Sequence, residues 1–543
     1  KRYTQNVALK RDTTYTLTHN LGTKDIQVLA RKDGKSYSLK FKKLDDKSIL
    51  ITNKDSANIQ ISIETKLKDS NSSKLFTDIT EYSARGLMAI RNIEFNYSRR
   101  RDTYISGFRP GIGDMFGQKD SEYGLVPGLG FAFGFEGGED FIEKSMGRDW
   151  LVMDENNITP AIYNHAEKLE LKSQIVPFKD FVINLKVARE KNDRTEVQYM
   201  FEDMPRSLGG SFSMTTIALS SSLQSSNSKN DYYSKAFSKF LENRNIISDR
   251  LEGIYKDTEY QGGKYQHGGV NPNSSDVLIP AFIAAYTGRD AGSISLSAFP
   301  SLLSMLPNWS ISYTGLQKIP FIKEKFRNLQ LNHSYECRYQ IGSYGSFSSW
   351  VQAEGTNNDD LGFIRDVLTG SPIPSSPYNI SSVNITEIFR PLIGVDASLT
   401  NNMEIDIDYN NSRILTLNMA SYQLIESLEK EFTFDFGYRI NEFNRVIGLT
   451  SRTPKNFNND LNIKAGISHK TTETLLRKIE ENFTQATNGI TIFTLKLSAD
   501  YTLSRALTLR AFYDRILNKP LISLSYPTTN SNMGVSLKFT LIQ

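Results

Sequence analysis

The chain has 543 residues, with 64 Lys and Arg against 60 Asp and Glu, 39% hydrophobic residues and a single cysteine. Its longest mostly apolar run, VLIPAFIAAY at 277–286, is about half of what a spanning helix requires, which excludes helical membrane spans. One thiol, Cys337, excludes an internal disulfide framework, and five scattered histidines offer no metal-ligand spacing, so neither a metal nor a cofactor is expected.

Residues 1–74 read as a small β-sandwich-like domain and linker. TTYTLTHN, KDIQVLAR, SYSLKFKK, KSILIT and ANIQISIE form five candidate strands with turn residues between them, and the polar KDSNSSK follows. Residues 1–75 hold 16 Lys and Arg against 8 Asp and Glu, so they carry +8 and the remainder −4. The start KRYTQNVALK has no signal-peptide pattern, so the chain is expected to be a mature form or an internal piece.

The second region, 75–228, opens with LFTDITEYSARGLMAI, whose Leu75, Ile79, Tyr82, Leu87 and Ile90 follow helical spacing. RNIEFNYS then alternates as a strand, and Arg99, Arg100 and Arg101 read as a solvated strand end, with no nucleic-acid partner expected. Two glycine-rich stretches between 110 and 138 lack phosphate-loop spacing and predict tight turns. Strands resume as AEKLELKSQI, FKDFVINLKVARE, TEVQYMF and SFSMTTIALSSS.

Residues 229–306 predict a polar, partly helical insertion, in which YYSKAFSKFLENRNIISDRL is at best amphipathic. It ends in two short apolar helical pieces, DVLIPAFIAAYTG and SAFPSLLSML, which a barrel must pack inside its lumen or against its periplasmic mouth, where they are candidates for holding a seal. From 307 to 543 the chain is almost continuously strand, including NWSISYTG, MEIDIDYN, RILTLNMASY, EFTFDFGYRI and LNIKAGISHK, and the count of spanning strands reaches about 14–16.

Alternation assigns faces. Phe432, Phe434, Phe436, Leu495, Leu497, Val535, Leu537, Phe539 and Leu541 fall on apolar faces and are the lipid-facing candidates. Glu404, Asp406 and Asp408, with Lys496 and Lys538, fall on polar faces and are the lumen-facing candidates. A full strand at the C-terminus favours a membrane barrel over a soluble sandwich, because a barrel's last strand pairs with its first and leaves no edge in lipid. The expected class is therefore all-β, a transmembrane β-barrel. The three carboxylates at 404–408 lack the glycine-bearing loop of a calcium site, and no GxSxG, HExxH or CxxC motif is present, so no enzyme activity is expected.

At LFTDITEYSARGLMAIRNIEFNYS, GFRPGIGDMFGQ and PGLGFAFGF the chain resembles the SprA (Sov) family, the outer-membrane translocon barrel of the type IX secretion system. The resemblance extends through EVQYMFEDMPRSLGGSFSMTT and the block from DVLIPAFIAAYTG to NWSISYTGL, and so to most of the chain. Family members are several times longer, which implies that this chain is the C-terminal portion of a very large barrel, completed by the remainder of the same polypeptide. The resemblance implies a channel in Bacteroidota that passes folded cargo with a C-terminal signal domain and supports gliding motility. Its implied partners are the PorV shuttle protein, the Plug protein and outer-membrane lipid, and it implies no catalytic residues. The family-motif positions are Gly111, Gly113, Asp114, Phe116, Gly117, Pro127, Gly128 and Gly130, then Pro300, Leu306, Pro307, Asn308 and Trp309, all expected to be structural. A smaller porin or receptor barrel and a soluble adhesin of stacked sandwiches remain as alternatives.

Overall fold

The structure, a computed structural model, describes the chain apart from residues 1, 12, 24, 33–34, 54, 66–87, 112, 123, 155–158, 202–205, 223, 225, 257, 261–262, 266–267, 355–359, 367, 442, 444–458, 504–505, 523–524 and 541–543. It divides into Lys1–Met88 and Ala89–Gln543.

The first unit is a sandwich of a four-stranded and a three-stranded sheet. Val7, Leu9, Leu17, Ile49, Ile51, Ile59, Ile61 and Ile63 fill its core. Its described residues form seven strands where five were expected: Arg2–Leu9 pairs along Ala57–Thr65, and the stretch around SYSLKFKK divides into Lys35–Tyr37 and Lys40–Lys43. The first strand escapes a pattern search because the polar Gln5 sits in phase with Tyr3, Val7 and Leu9. The helix expected over 75–90 lies outside the described residues except for its last positions, where Ile90 already begins a strand.

The second unit is all-β in framework, with one antiparallel sheet of 14 strands. These are β1 (Ile90–Tyr104), β2 (Ala161–Phe178), β3 (Phe181–Val197), β4 (Arg206–Thr215), β5 (Asn308–Tyr313), β6 (Phe326–Ser346) and β7 (Tyr378–Ile380). They continue as β8 (Ser382–Leu399), β9 (Met403–Asn418), β10 (Gln423–Ile440), β11 (Leu461–Lys478), β12 (Phe483–Thr502), β13 (Leu507–Pro520) and β14 (Thr528–Phe539). The spatial order is β14-β13-β12-β11-β10-β9-β8-β6-β4-β3-β2-β1, with β5 between β3 and β6 and β7 beside β6. Several strands are longer than their sequence patterns: MEIDIDYN and RILTLNMASY form one strand, and TEV is the end of β3. Among the described residues the final strand, β14, pairs with β13 alone, and β14 and β1 are the sheet's two open edges.

One strand position is split. β3 pairs with β5 through Phe181–Lys186 and with β4 through Arg189–Val197, so β4 and β5 are two halves of a single line between β3 and β6. Residues 216–307 leave the sheet between the halves, and the amide of Leu306 returns to the carbonyl of Thr215 at 3.3 Å. Asn308 secures the re-entry by accepting from the Cys337 amide, and Trp309 stacks on Tyr335 with ring centroids 4.5 Å apart.

The extruded segment contains α2 (Lys235–Tyr255) and α3 (Ser275–Thr287); the earlier α1 (Glu139–Gly147) belongs to the glycine-rich region. α2 is a full helix of 21 residues, not a marginal one: Ser234 caps it, and Phe237, Phe240, Ile247, Leu251 and Tyr255 bury one stripe. α3 has every side chain from Val277 to Tyr286 buried, each large apolar one contributing roughly 1.5–3 kcal/mol. SAFPSLLSML is not a helix but a coil with one turn at Leu302–Ser304, since Pro300 cannot donate a backbone hydrogen bond and the flanking serines compete for backbone partners. These elements cover one face of the sheet, packing on Phe212, Met214, Tyr335, Tyr339, Ile341, Val383, Ile385, Leu415, Leu417 and Leu424.

Candidate functional site: the two faces of the wall

Side chains directly opposite one another in an antiparallel pair share a face, so the register fixes which residues stand together. Phe436, Phe434 and Phe432 face Ile405, Ile407 and Tyr409 on one side and Ala465, Ile467 and His469 on the other. The next strands add Leu497, Leu495 and Phe493, opposite Tyr513, Arg515 and Leu517, then Ala511 and Leu509, then Met533, Val535 and Leu537, with Phe539 opposite Leu507. All the described lipid-facing candidates therefore lie on one face; Leu541 lies outside the described residues. The same face continues beyond those candidates: Trp309 and Ile311 oppose Leu185 and Ile183, and Leu169 and Leu171 oppose Tyr97 and Phe95.

The opposite face is charged. Asp396, Asp406, Asp435, Gly466, Lys496 and Asp514 are successive partners across six strands. Glu404, Asp408 and Lys538 lie on this face too, so the lumen-facing candidates are brought onto one surface. Ion pairs lace it: Lys172 to Glu170 at 3.1 Å, Lys186 to Glu170 at 3.0 Å and Lys470 to Glu429 at 2.8 Å. Three carboxylates directly opposite one another repel, so this row needs water around it.

The helical cover sits on the apolar face. Along β10 the residues Leu424, Glu426, Leu428, Lys430, Phe432, Phe434 and Phe436 are in phase, and the pairing to β9 and β11 has no register shift. Leu424 and Glu426 are buried beneath the cover, while Phe432 is exposed. The apolar pieces at 277–286 and 297–306, expected in the lumen or at its periplasmic mouth, lie on the side that carries the lipid-facing candidates, not the side that carries Asp406. The polar side chains Asn411, Lys430 and Thr471 stand between cover and apolar band on β9, β10 and β11, with Phe389 and Tyr409 in a cleft of about 350 Å³.

A buried ionic clamp holds the cover down. Arg477 donates to Glu426 at 3.0 and 2.7 Å, to the carbonyl of Tyr232 at 2.8 Å and to Ser226 at 3.1 Å. Arg413 donates to Glu387 at 2.8 Å and to the carbonyl and hydroxyl of Ser221 at 2.9 and 2.8 Å. These four charged residues were missed in sequence. Their signal was a charge at an apolar phase, as with Glu426 between Leu424 and Leu428.

The positions on which the resemblance rests build a turn system beside β1. Asp114 accepts from the amides of Phe116 and Gln118 at 2.8 and 2.9 Å, and the Gln118 side chain accepts from the Gly128 amide at 2.6 Å. A Cβ at Gly113 would stand 1.5 Å from the Gln118 carbonyl oxygen, and Gly128, following Pro127, holds φ at +107°. Gly111, Gly117 and Gly130 belong to the same connection. Beyond it α1, Val126, Phe141 and Trp150 pack together. Pro307 directly precedes β5.

No family model and no curated protein matches the sequence. Among solved structures, similarity is found to the in-vitro folded outer membrane protein OmpT of Vibrio cholerae in its trimer form, at 10% identity over 82% of this chain and 98% of that one, with a TM-score of 0.18. The anion-selective porin from Comamonas acidovorans is similar at 8% identity over 70% of this chain and 92% of that one, with a TM-score of 0.10. Scores this low carry no weight for function, which is argued below from the chain's own geometry.

Proposed function

We propose that the chain forms part of the wall of a large outer-membrane β-barrel, and that the complete protein is the protein-conducting channel of the type IX secretion system, passing folded cargo to the cell surface and supporting gliding motility. The observation that carries the membrane part is the segregation of faces, clearest from β9 to β14, with mainly aromatic and aliphatic residues on one and carboxylates and lysines on the other. The charged face cannot meet hydrocarbon, so the apolar face meets lipid and the charged face lines water. Strands of 16–20 residues from β8 to β12 exceed the 9–11 that a tilted spanning strand needs, leaving a length outside the bilayer for the cover to occupy. The cover then lies on the outer flank of the wall, beyond the membrane edge.

Size supports the channel part. Strands about 4.8 Å apart and tilted near 40° take roughly 6.3 Å of circumference each, so the sheet's twelve successive positions would close to a backbone diameter of only about 24 Å. A folded 150-residue cargo is about 38 Å wide and would not pass. The open edges of β1 and β14 leave room for further strands from the remainder of the polypeptide, and 36 strands, the largest count known, give roughly 70 Å. A hole of that width needs blocking, a role that the PorV shuttle and the Plug protein would fill. The test is planar-bilayer conductance of the purified complex before and after its partners are stripped. Very large conductance only after stripping is expected; small, porin-like conductance in both states would sink the translocon reading.

A further inference from the structure

On β1 the apolar face changes character within one strand. Ile93, Phe95 and Tyr97 are 64%, 61% and 49% exposed, and the next two side chains in phase are Arg99 and Arg101. Their direct partners on β2 change at the same rung, from Leu171 and Leu169 to Glu167 and His165. β3 adds Arg189 opposite Leu169, then Lys191 and Asp193. The rung thus carries four cations and a histidine against two carboxylates, and both carboxylates are engaged. Glu167 accepts from Tyr97 at 2.8 Å and lies 3.5 Å from Arg189, while Asp193 is 3.1 Å from Lys191 and accepts from Tyr344. Among the described residues Arg99 reaches the His165 ring alone, at 3.1 Å, and Arg101 has no ion pair. Arg101 and His165 line a cleft of about 520 Å³ together with Phe131, Gly134, Gly137 and Gly138, and with Asp102, whose carboxylate is paired with Arg100 at 2.9 Å. Glu136 on its rim is paired with Lys144 at 2.8 Å.

We infer that Arg99, Arg101 and His165 hold the phosphate of a membrane lipid whose acyl chains lie along Ile93, Phe95, Leu169 and Leu171. The inference rests on the apolar face meeting lipid, as proposed above, and adds a specific headgroup site at its edge. Two guanidinium groups with no carboxylate partner among the described residues, next to an exposed apolar strip, match an amphiphile with an anionic head, and a soluble anion would leave that strip uncovered. A guanidinium also suits phosphate through its planar, multi-donor fork.

The test uses the purified full-length protein in nanodiscs of phosphatidylcholine doped with phosphatidic acid, with retained phosphatidic acid counted by native mass spectrometry. Replacing either arginine by glutamine is expected to lower retention about fivefold, and R99Q with R101Q roughly twentyfold. Arg100→Gln, on the opposite face and paired with Asp102 at 2.9 Å, serves as the control and should leave retention unchanged. The doubly lysine-substituted protein, R99K with R101K, keeps the charge and should retain most of the lipid, which separates binding from misfolding. A nitroxide at Phe95→Cys, made in a Cys337→Ser background because that buried thiol is free, reports whether the strip itself is in lipid. If that label relaxes with oxygen and not with an aqueous nickel chelate while R99Q with R101Q retains its lipid, the headgroup site is overturned and the wall reading stands. If the label relaxes with the nickel chelate, the wall reading falls and the site falls with it.

Discussion

Arg477 on β11 and Glu426 on β10 meet at 2.7 Å, both buried, on the face that a few residues further along presents Phe432 to the outside. A buried pair of this kind contributes little net stability over an apolar pair of the same shape, but removing one partner strands the other charge. Arg477→Met should therefore destabilise the cover by roughly 3–5 kcal/mol, and the double change with Glu426→Leu should recover most of it. Hydrogen exchange of the α2 amides in the full-length protein measures this; equal losses in the single and double variants would mean that the charges do not clamp the cover.

The two faces predict opposite tolerances one strand further on. Leu497 and Ser498 on β12 are adjacent and face opposite sides of the sheet, with Leu497 between Ala465 and Tyr513. A lysine at Leu497 should cost about 2–4 kcal/mol near the bilayer midplane, and a lysine at Ser498, on the face of Lys464 and Asp500 in water, much less. Membrane assembly of the two variants, followed by heat-modified gel mobility, distinguishes them. Equal tolerance would reverse or cancel the assignment of faces.

Asp276, at the start of α3, carries a pH prediction in the cover. Burial raises its pKa, outweighing the amide and hydroxyl of Ser376, which donate to it at 2.8 and 2.6 Å. A carboxyl whose pKa is raised in the folded state binds its proton more tightly there than when unfolded. Its stabilising contribution is full below the ordinary carboxylate range and is lost as pH rises through the raised value. Protection of the α3 amides should fall as pH climbs through that window. Asp276→Asn keeps an acceptor for the Ser376 amide and offers a donor to its hydroxyl, so it should flatten the dependence. A slope unchanged by the substitution would assign the effect to another group.

Alternation within single strands was enough to place Phe434 with Phe432 and Asp406 with Glu404, because period two is a property of the strand itself. The sequence was silent on what lies over each face, since Leu415 and Leu417 beneath the cover alternate in the same way as Leu495 and Leu497 in the open band. Strand lengths were cut short for a related reason: Asn410, Asn411 and Ser412 interrupt the apolar pattern of β9 at the polar rung between band and cover, although the strand runs through. The split into β4 and β5 was hidden because half a strand looks like a short whole one. The clamp was legible only as an anomaly, in Glu426 and Arg477 at apolar phases, and nothing local shows that two such charges meet.

Gly113 and Gly117 separate packing from backbone conformation within one turn. A methyl group at Gly117 meets nothing within 4 Å, and its cost is that of holding a left-handed φ of +72°, about 1–2 kcal/mol. At Gly113 the methyl would lie 1.5 Å from the carbonyl oxygen of Gln118, an overlap that only backbone displacement can relieve. That carbonyl accepts from the Asp114 amide at 2.7 Å, and the Gln118 side chain anchors Gly128 at 2.6 Å, so the displacement passes to the segment that lines the cleft at Arg101. Gly113→Ala should therefore speed proteolytic cleavage across 111–138 well beyond Gly117→Ala, and it should weaken lipid retention at Arg99 and Arg101 without touching either arginine. Cleavage rates for the two variants that match within error would show that the Gln118 contact does not hold this connection in place.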